Sequence, residues 1–202
     1  MSTSLIELVK PYIESINLEE VAGHLNVGVG DILKGEFWAF ALWFKVSGRG
    51  GVLVSPRKMS FWLVAIKKAI ASCLDLESIE RLRTALEVEF KRVSDRKTQQ
   101  KIYSDPVQAQ LRQLVKQRLT QIEIETAACR QAETLTESYK PIIKQCSDRE
   151  SLDAVAQLIR KNRSIFVPFP YLLQQLRQAW ARRRDEIQGK DRLISQITVG
   201  AG

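Results

Sequence analysis

Apolar residues recur every three or four positions along most of the chain, a spacing that is typical of amphipathic helices. The clearest stripes lie in the central part. The first consists of Ile79, Leu82, Leu86, Phe90 and Val93, and the second of Val107, Leu111, Leu114, Val115, Leu119, Ile122, Cys129, Ala132, Leu135 and Tyr139. The second stripe predicts a helix of about 35 residues, far longer than an average helix. Two stripes with a short polar break between them predict an antiparallel helical hairpin, or a coiled coil that dimerises.

One run breaks the helical period. Residues 37–46, Phe-Trp-Ala-Phe-Ala-Leu-Trp-Phe-Lys-Val, form the most apolar stretch of the chain, and their pattern leaves a buried strand and a short buried helix both open. A glycine-rich turn at 47–51 and a β-type run at 52–54 follow, which predicts a β-hairpin with Arg49 at its tip. The residues predicted to form an oligomer or partner interface are Phe37, Trp38, Phe40, Trp43 and Phe44.

The segment before this run, 17–36, has the features of a helix followed by a sharp turn. Asn17 is a residue type that caps helices, and Val21 and Leu25 fall on one face at helical spacing. Asn26 can end the helix, because asparagine tolerates the left-handed conformation that such a turn needs. A small residue at position 22 allows close approach of a second helix.

Ile32 and Leu33 are placed to hold a second helix against the first, and the whole segment resembles the helix-turn-helix motif. With the predicted hairpin after it, the layout resembles a winged helix. The resemblance implies DNA binding, with the second helix in the major groove. Gly28 and Gly30 weaken that helix by about 1 kcal/mol each and offer no side chain to a base. An ordinary helical corner of a globular domain is the alternative interpretation.

Composition favours a globular protein with a polyanionic partner. The chain has 202 residues, of which 45% are apolar and 27% charged, with a net charge of +8 and a pI near 9.5. The charge is uneven, because residues 1–56 hold four basic and six acidic residues whereas residues 160–192 hold nine and three. The basic C-terminal region is therefore expected to supply most phosphate contacts. The predicted nucleic-acid contacts are Lys34, Arg49, Lys67, Lys68, Arg160, Lys161, Arg163, Arg182, Arg183 and Arg184.

The chain lacks the residue patterns of the common catalytic and metal sites. His24 is the sole histidine, the three cysteines lie far apart, and neither a phosphate-binding loop nor a nucleophile elbow occurs. We therefore predict no enzyme, no cofactor and no metal. Scattered free cysteines fit a reducing, cytoplasmic setting. The apolar runs are shorter than the ~20 residues that span a bilayer, so a membrane partner is not expected.

The sequence thus predicts a mainly α protein in three parts. Residues 1–74 form a (winged) helix-turn-helix-like domain with an aromatic hairpin, 75–146 a long helical hairpin, and 147–202 a C-terminal helical pair with a basic tail. The expected function is a DNA-associated regulator or accessory factor that binds duplex DNA and forms a homo-oligomer. The alternative is a helical adaptor that binds protein partners through residues 37–46 and the coiled coil. Peripheral membrane attachment is a third, weaker option.

Overall fold

The computed structural model of the protein describes residues 4–38, 41–95 and 100–199. The described chain is mainly helical, as the apolar spacing predicted. The helices are α1 (Leu5–Val9), α2 (Leu18–Leu25), α3 (Ser60–Ser72), α4 (Leu76–Phe90), α5 (Asp105–Gln145), α6 (Arg149–Lys161), α7 (Arg163–Phe166) and α8 (Pro170–Val199). The strands are β1 (Ile32–Phe37), β2 (Leu42–Val46), β3 (Gly50–Val54), β4 (Val93–Asp95) and β5 (Gln100–Lys101).

The chain forms two compact units, residues 1–123 and 124–202, and α5 contributes residues to both. The sequence predicted a domain boundary between residues 74 and 75. The structure divides the chain elsewhere, because residues on both sides of that position belong to the hydrophobic core of the first unit. That core contains Trp62 and Ile66 from α3, Leu86 from α4 and Leu111 from α5, all at most 2% exposed. α4 and the first part of α5 form the predicted helical hairpin. The buried residues of their apolar stripes are Ile79, Leu82, Leu86, Phe90, Leu111, Val115 and Ile122, and Val107, Leu114 and Leu119 pack against the same core. The side chains expected to form a dimerising seam are therefore occupied within the chain.

The predicted second helix of the helix-turn-helix is wrong. Asn17 caps α2 by accepting hydrogen bonds from two backbone N–H groups (2.9 and 3.2 Å), and Asn26 ends it in the left-handed conformation (φ 52°), both as expected. A single 3-10 turn, Val29–Asp31, then leads directly into strand β1. Gly28 and Gly30 disfavour helix here, and the hydrogen bonds that residues 32–37 form with β2 outweigh their helical apolar spacing.

The predicted hairpin is confirmed, and it belongs to a three-stranded antiparallel sheet in the order β1-β2-β3. Because side chains alternate between the faces of a sheet, Leu42, Phe44 and Val46 of β2 point into a small core that includes Val21 of α2. Trp43 and Lys45 of the same strand lie on the opposite, outer face. A carboxylate from α2 also connects this region to α3, since Glu20 accepts hydrogen bonds from the backbone N–H (2.6 Å) and hydroxyl (2.9 Å) of Ser60.

The second unit is a helical assembly of α6, α7, α8 and the last part of α5. Its core contains Ile143, Leu152, Phe166 and Leu176, none more than 1% exposed. The long helix continues through Pro141 to Gln145 and so extends beyond the last residue of the predicted stripe, Tyr139. Proline removes one backbone donor there. Burial of Tyr139 before it and Ile143 after it, on the same side of the helix, holds the segment helical.

A buried hydrogen bond inside the first unit gives a pH-dependent prediction. The indole N–H of Trp62 donates to the hydroxyl of Tyr103 (2.6 Å), and burial raises the pKa of Tyr103 to about 12. Tyrosine in the unfolded chain ionises near pH 10, so the folded state holds the proton more tightly. This contribution to stability is complete below pH 10 and is lost as the pH rises towards 12, by up to about 1.4 kcal/mol per pH unit.

Tyr103→Phe is expected to remove this pH dependence. Urea unfolding of wild type and variant at pH 9, 10 and 11 measures it, and the stability difference between the two proteins should shrink as the pH rises. Parallel pH profiles would show that Tyr103 ionises normally in the folded state.

Candidate anion-binding groove and exposed aromatic face

Two basic residues predicted to contact nucleic acid from the sheet are engaged within the first unit. Arg49, at the tip of the β2–β3 hairpin, donates a hydrogen bond to the backbone carbonyl of Leu25 (2.8 Å) and so ties the hairpin to the end of α2. Lys34 forms an ion pair with Glu36 on the same strand. These contacts fix the sheet locally. The charge of Lys34 is balanced by Glu36, whereas the exposed Arg49 keeps its charge.

The predicted pair on α3 also divides into one engaged and one exposed residue. Lys68 forms an ion pair with Glu14 (2.7 Å), whereas Lys67 is exposed. Consecutive residues of a helix point about 100° apart, so the two ammonium groups do not form a single anion site. The basic residues predicted as contacts between positions 34 and 68 are therefore not gathered into one surface by a shared element.

The predicted arginines of the second unit do converge. A groove of about 400 Å³ lies between α6 and α8. It is lined by Ala156, Ile159, Arg160, Arg163, Leu173, Leu176, Arg177 and Trp180. The floor is apolar, and arginines stand on both sides of it: Arg160 in the last turn of α6, Arg163 at the start of α7, and Arg177 on α8.

None of the guanidinium groups of these three arginines forms an ion pair or hydrogen bond with any residue that the structure describes. All three are exposed at the groove. In contrast, Arg81, Arg83 and Arg149 each have a carboxylate partner within 4 Å on their own helix. The positive charges of the three guanidiniums add up within the cavity, and the apolar floor screens them less than water does. The cavity therefore has a positive potential. The groove is therefore suited to bind an anion.

A second cavity of about 290 Å³ adjoins the groove. It shares Arg163, Leu173 and Arg177 with the first, and Phe166, Val167 and Pro170 complete its lining. The shared arginines therefore stand between two apolar depressions. Lys161, also predicted as a contact, is exposed at the end of α6. The anion-binding groove, defined as Arg160, Arg163, Arg177 and Trp180, thus continues past the start of α7.

The arginine run near the C-terminus is less available than its sequence suggests. Arg183 donates to the backbone carbonyl of Cys146 (2.9 Å) and to Glu186 (2.5 Å), so its main contacts are internal to the second unit. Arg182 is exposed, and no partner for it is found among the described residues. Of these two neighbours, Arg182 alone is placed to meet a ligand in solution.

Arg184 combines both roles. It donates to Asp185 (3.0 and 2.8 Å), and its guanidinium lies 5.5 Å from the centre of the Trp180 ring, in cation–π contact. The indole N–H of Trp180 donates to the carbonyl of Leu152 (3.1 Å). These two contacts fix the orientation of the ring that lines the groove.

Sequence reasoning missed two groove residues, Arg177 and Trp180. A signal for them was present, because Arg177, Trp180 and Arg184 are spaced three and four apart and share one face of α8. Their meeting with Arg160 and Arg163 depends on how α8 packs against α6. Helical spacing alone does not contain that information.

The predicted aromatic interface separates into two faces of the sheet. Phe44 is fully buried and Phe37 packs against the same core. Trp38 and Trp43 lie on the outer face, with ring centres 5.6 Å apart and ring planes within 2° of parallel. Phe40 lies outside the described residues. Two of the five predicted residues therefore form an exposed aromatic surface.

Comparisons with protein-family models, curated proteins and solved structures find no match to this chain. Among the described residues, no group of three or more His, Cys, Asp or Glu side chains is arranged to hold a metal ion. Within the same part of the chain, every helix is too short or too polar to cross a membrane. The groove and the aromatic face are accordingly interpreted from their own geometry.

Proposed function

We propose that the protein binds nucleic acid, with duplex DNA as the principal partner, by placing the sugar–phosphate backbone along the anion-binding groove. The observation that supports this most directly is the set of three arginines on both sides of one groove, Arg160, Arg163 and Arg177, whose side chains have no partner among the described residues. Guanidinium groups suit phosphate because they are planar, permanently charged and able to donate two parallel hydrogen bonds. The overall charge of +8 acts in the same direction at longer range.

The apolar floor strengthens this arrangement. Ile159, Leu176 and Trp180 limit the water that reaches the guanidiniums from below, so their attraction for a phosphate is screened less than at an open surface. Sugar rings and base edges can contact the same floor. Nucleic acid offers both components together, an anion every few ångströms and apolar surface between the anions.

Residues 27–36 are not proposed to read bases. That segment is a turn and a strand, and the strand is paired with β2 along its length. Contacts between arginine and phosphate position a protein on nucleic acid but do not distinguish sequences. The function is therefore that of an accessory factor with little sequence preference, without catalytic chemistry.

The salt dependence of binding to a random 20-base-pair duplex tests this function. For wild type, the logarithm of the association constant should fall linearly with the logarithm of salt concentration, measured by fluorescence polarisation. Changing Arg160, Arg163 and Arg177 together to Ala should flatten that slope by up to about 3 units, one per lost phosphate contact.

The matched control is the triple variant of Arg81, Arg83 and Arg149 to Ala. It removes the same charge from exposed arginines that have carboxylate partners. Its slope should stay close to that of wild type. Absence of duplex binding by the wild type at low salt, or equal slopes for the two triple variants, would contradict the proposed function.

A further inference from the structure

The outer face of the three-stranded sheet exposes an aromatic surface that the first unit does not use. Trp38, Trp43 and Leu53 lie there, and Trp38 and Leu53 are 46% and 60% exposed. The strand register places Leu53 directly opposite Trp43, and the inward residues beside them fill the core. Apolar surface of this kind on a sheet requires an explanation other than packing. We call Trp38, Trp43 and Leu53, with Lys34 and Lys45, the aromatic platform.

The two indole rings stack on each other, so each is held in place and keeps one face for a ligand. They are parallel within 2°, with centres 5.6 Å apart. The indole N–H of Trp38 donates to Glu36 (3.3 Å), which fixes one ring. Trp43 lies on the backbone of Gly51, where any Cβ atom would come within 2.7 Å of its ring nitrogen. A glycine at 51 is therefore needed to seat the second ring.

The charged residues beside the rings are mainly positive. Lys34 and Lys45 are direct cross-strand partners in the β1–β2 register. Like charges in that position destabilise the sheet slightly, and a bound anion relieves their repulsion. The charge of Glu36 is balanced by Lys34. The carboxylate accepts a hydrogen bond from the Lys34 ammonium, and this contact lowers the pKa of the Glu36 carboxyl. Lys45 is exposed and has no ion-pair partner among the described residues.

We propose that the aromatic platform binds unpaired bases of single-stranded nucleic acid by stacking, with Lys45 contacting a flanking phosphate. This inference rests on the proposed function and specifies which form of nucleic acid the first unit prefers. Bases expose their flat faces only when they are unpaired, and stacking on aromatic side chains is the usual way in which single strands are held. A duplex hides those faces and gains nothing from the platform beyond its charge.

Trp38→Ala in the full-length chain tests the platform. Trp38 follows β1 and is exposed, so its removal leaves the core intact. Binding of a dT20 single strand and of the random 20-base-pair duplex is measured by fluorescence polarisation at one salt concentration. The affinity for dT20 should fall about tenfold or more, which corresponds to the loss of stacking on one or two bases. Duplex affinity should stay within about twofold of wild type, because phosphate contacts are unchanged.

Two controls identify stacking as the cause. Trp38→Phe retains a flat ring and should recover most of the lost dT20 affinity. Tyr171→Ala removes another exposed aromatic side chain, 50% exposed on α8, and should leave both affinities unchanged. The slope of dT20 affinity with salt should be equal in wild type and Trp38→Ala, because no ionic contact is removed.

The outcomes separate this inference from the proposed function. If the groove variant loses duplex binding but Trp38→Ala changes neither affinity, the platform is overturned, the groove function stands, and a protein becomes the occupant to seek for this face. If Trp38→Ala weakens dT20 binding while the groove variant binds both forms normally, the groove function is overturned and the aromatic platform stands. Equal weakening of dT20 and duplex by Trp38→Ala also overturns stacking. Absence of all binding overturns both.

Discussion

Replacing Arg57 by Ala should lower the free energy of unfolding by about 3 kcal/mol, near the lower end of the range for breaking a buried ion pair. Arg57 and Glu89 form a two-pronged contact in which the carboxylate side chain is 2% exposed and the arginine 11% exposed. Without the guanidinium, a buried charge loses its main partner. Arg92 retains one contact with Glu89 (3.3 Å), which keeps the loss from being larger.

A second variant, in an exposed ion pair of the same geometry, shows how much of the stability loss is due to burial. Arg112 makes the same two-pronged contact with Glu87 (2.7 and 2.9 Å), but the two side chains are 50% and 42% exposed. Arg112→Ala should therefore lower the free energy of unfolding much less than Arg57→Ala does, because solvent screens an exposed pair. Urea unfolding followed by circular dichroism measures both variants. Equal losses would show that burial of Glu89 does not decide the energetics.

The double variant Arg57→Met, Glu89→Leu sharpens this test. Because two charges pay a large desolvation cost when they are buried, apolar residues of similar size often replace such a pair without loss. The double variant should be more stable than Arg57→Ala and within about 1 kcal/mol of wild type. If the double variant is less stable than Arg57→Ala, the buried ion pair contributes more to stability than the apolar residues that replace it.

The helices could be predicted from the sequence because their signals are local. Leu86 and Leu111 each belong to a stripe of apolar residues at helical spacing, and both are buried where α4 packs against α5. Caps are equally local: Ser4 and Glu7, three residues apart, form the reciprocal hydrogen bonds of a capping box (3.3 and 3.1 Å). For such features, residues within a few positions of one another determine the conformation.

Strand β1 could not be predicted in this way. Ile32 and Leu33 fit a second helix at helical spacing, yet they belong to a strand that pairs with β2, more than ten residues away. Gly35 permits this pairing, because a Cβ atom there would lie 2.6 Å from the ring of Phe44. A missing side chain is a weak sequence signal, and its meaning depends on a contact across strands. Local spacing therefore predicted the wrong element.

The candidate groove shows the same limit. Arg160 and Arg163 were predicted from charge density alone, and so were Arg183 and Arg184. Charge density does not reveal that Arg183 is engaged by Cys146 and Glu186, or that Arg177 faces the first pair. Whether an arginine is paired depends on neighbours from other helices. The sequence therefore located the basic region but not the residues that are available in it.

Two adjacent aromatic residues, Phe44 and Trp43, should respond very differently to replacement by Ala. The sequence predicted both in one oligomer or partner interface, but a strand turns consecutive side chains to opposite faces. Phe44 is 0% exposed in the core beneath the sheet, and its ring covers the backbone of Gly35. Phe44→Ala removes this packing and leaves a cavity, so the free energy of unfolding should fall by about 3–5 kcal/mol.

Trp43→Ala should cost about 1 kcal/mol, because it loses chiefly the stacking contact with Trp38 on the outer face. Urea unfolding of the two variants measures the difference, and dT20 binding provides a second readout. Trp43→Ala should remain folded and lose single-strand affinity, whereas Phe44→Ala should lose stability first. Because a register shift of one residue exchanges the two faces, a larger stability loss for Trp43→Ala than for Phe44→Ala would contradict both the strand register and the aromatic platform built on it.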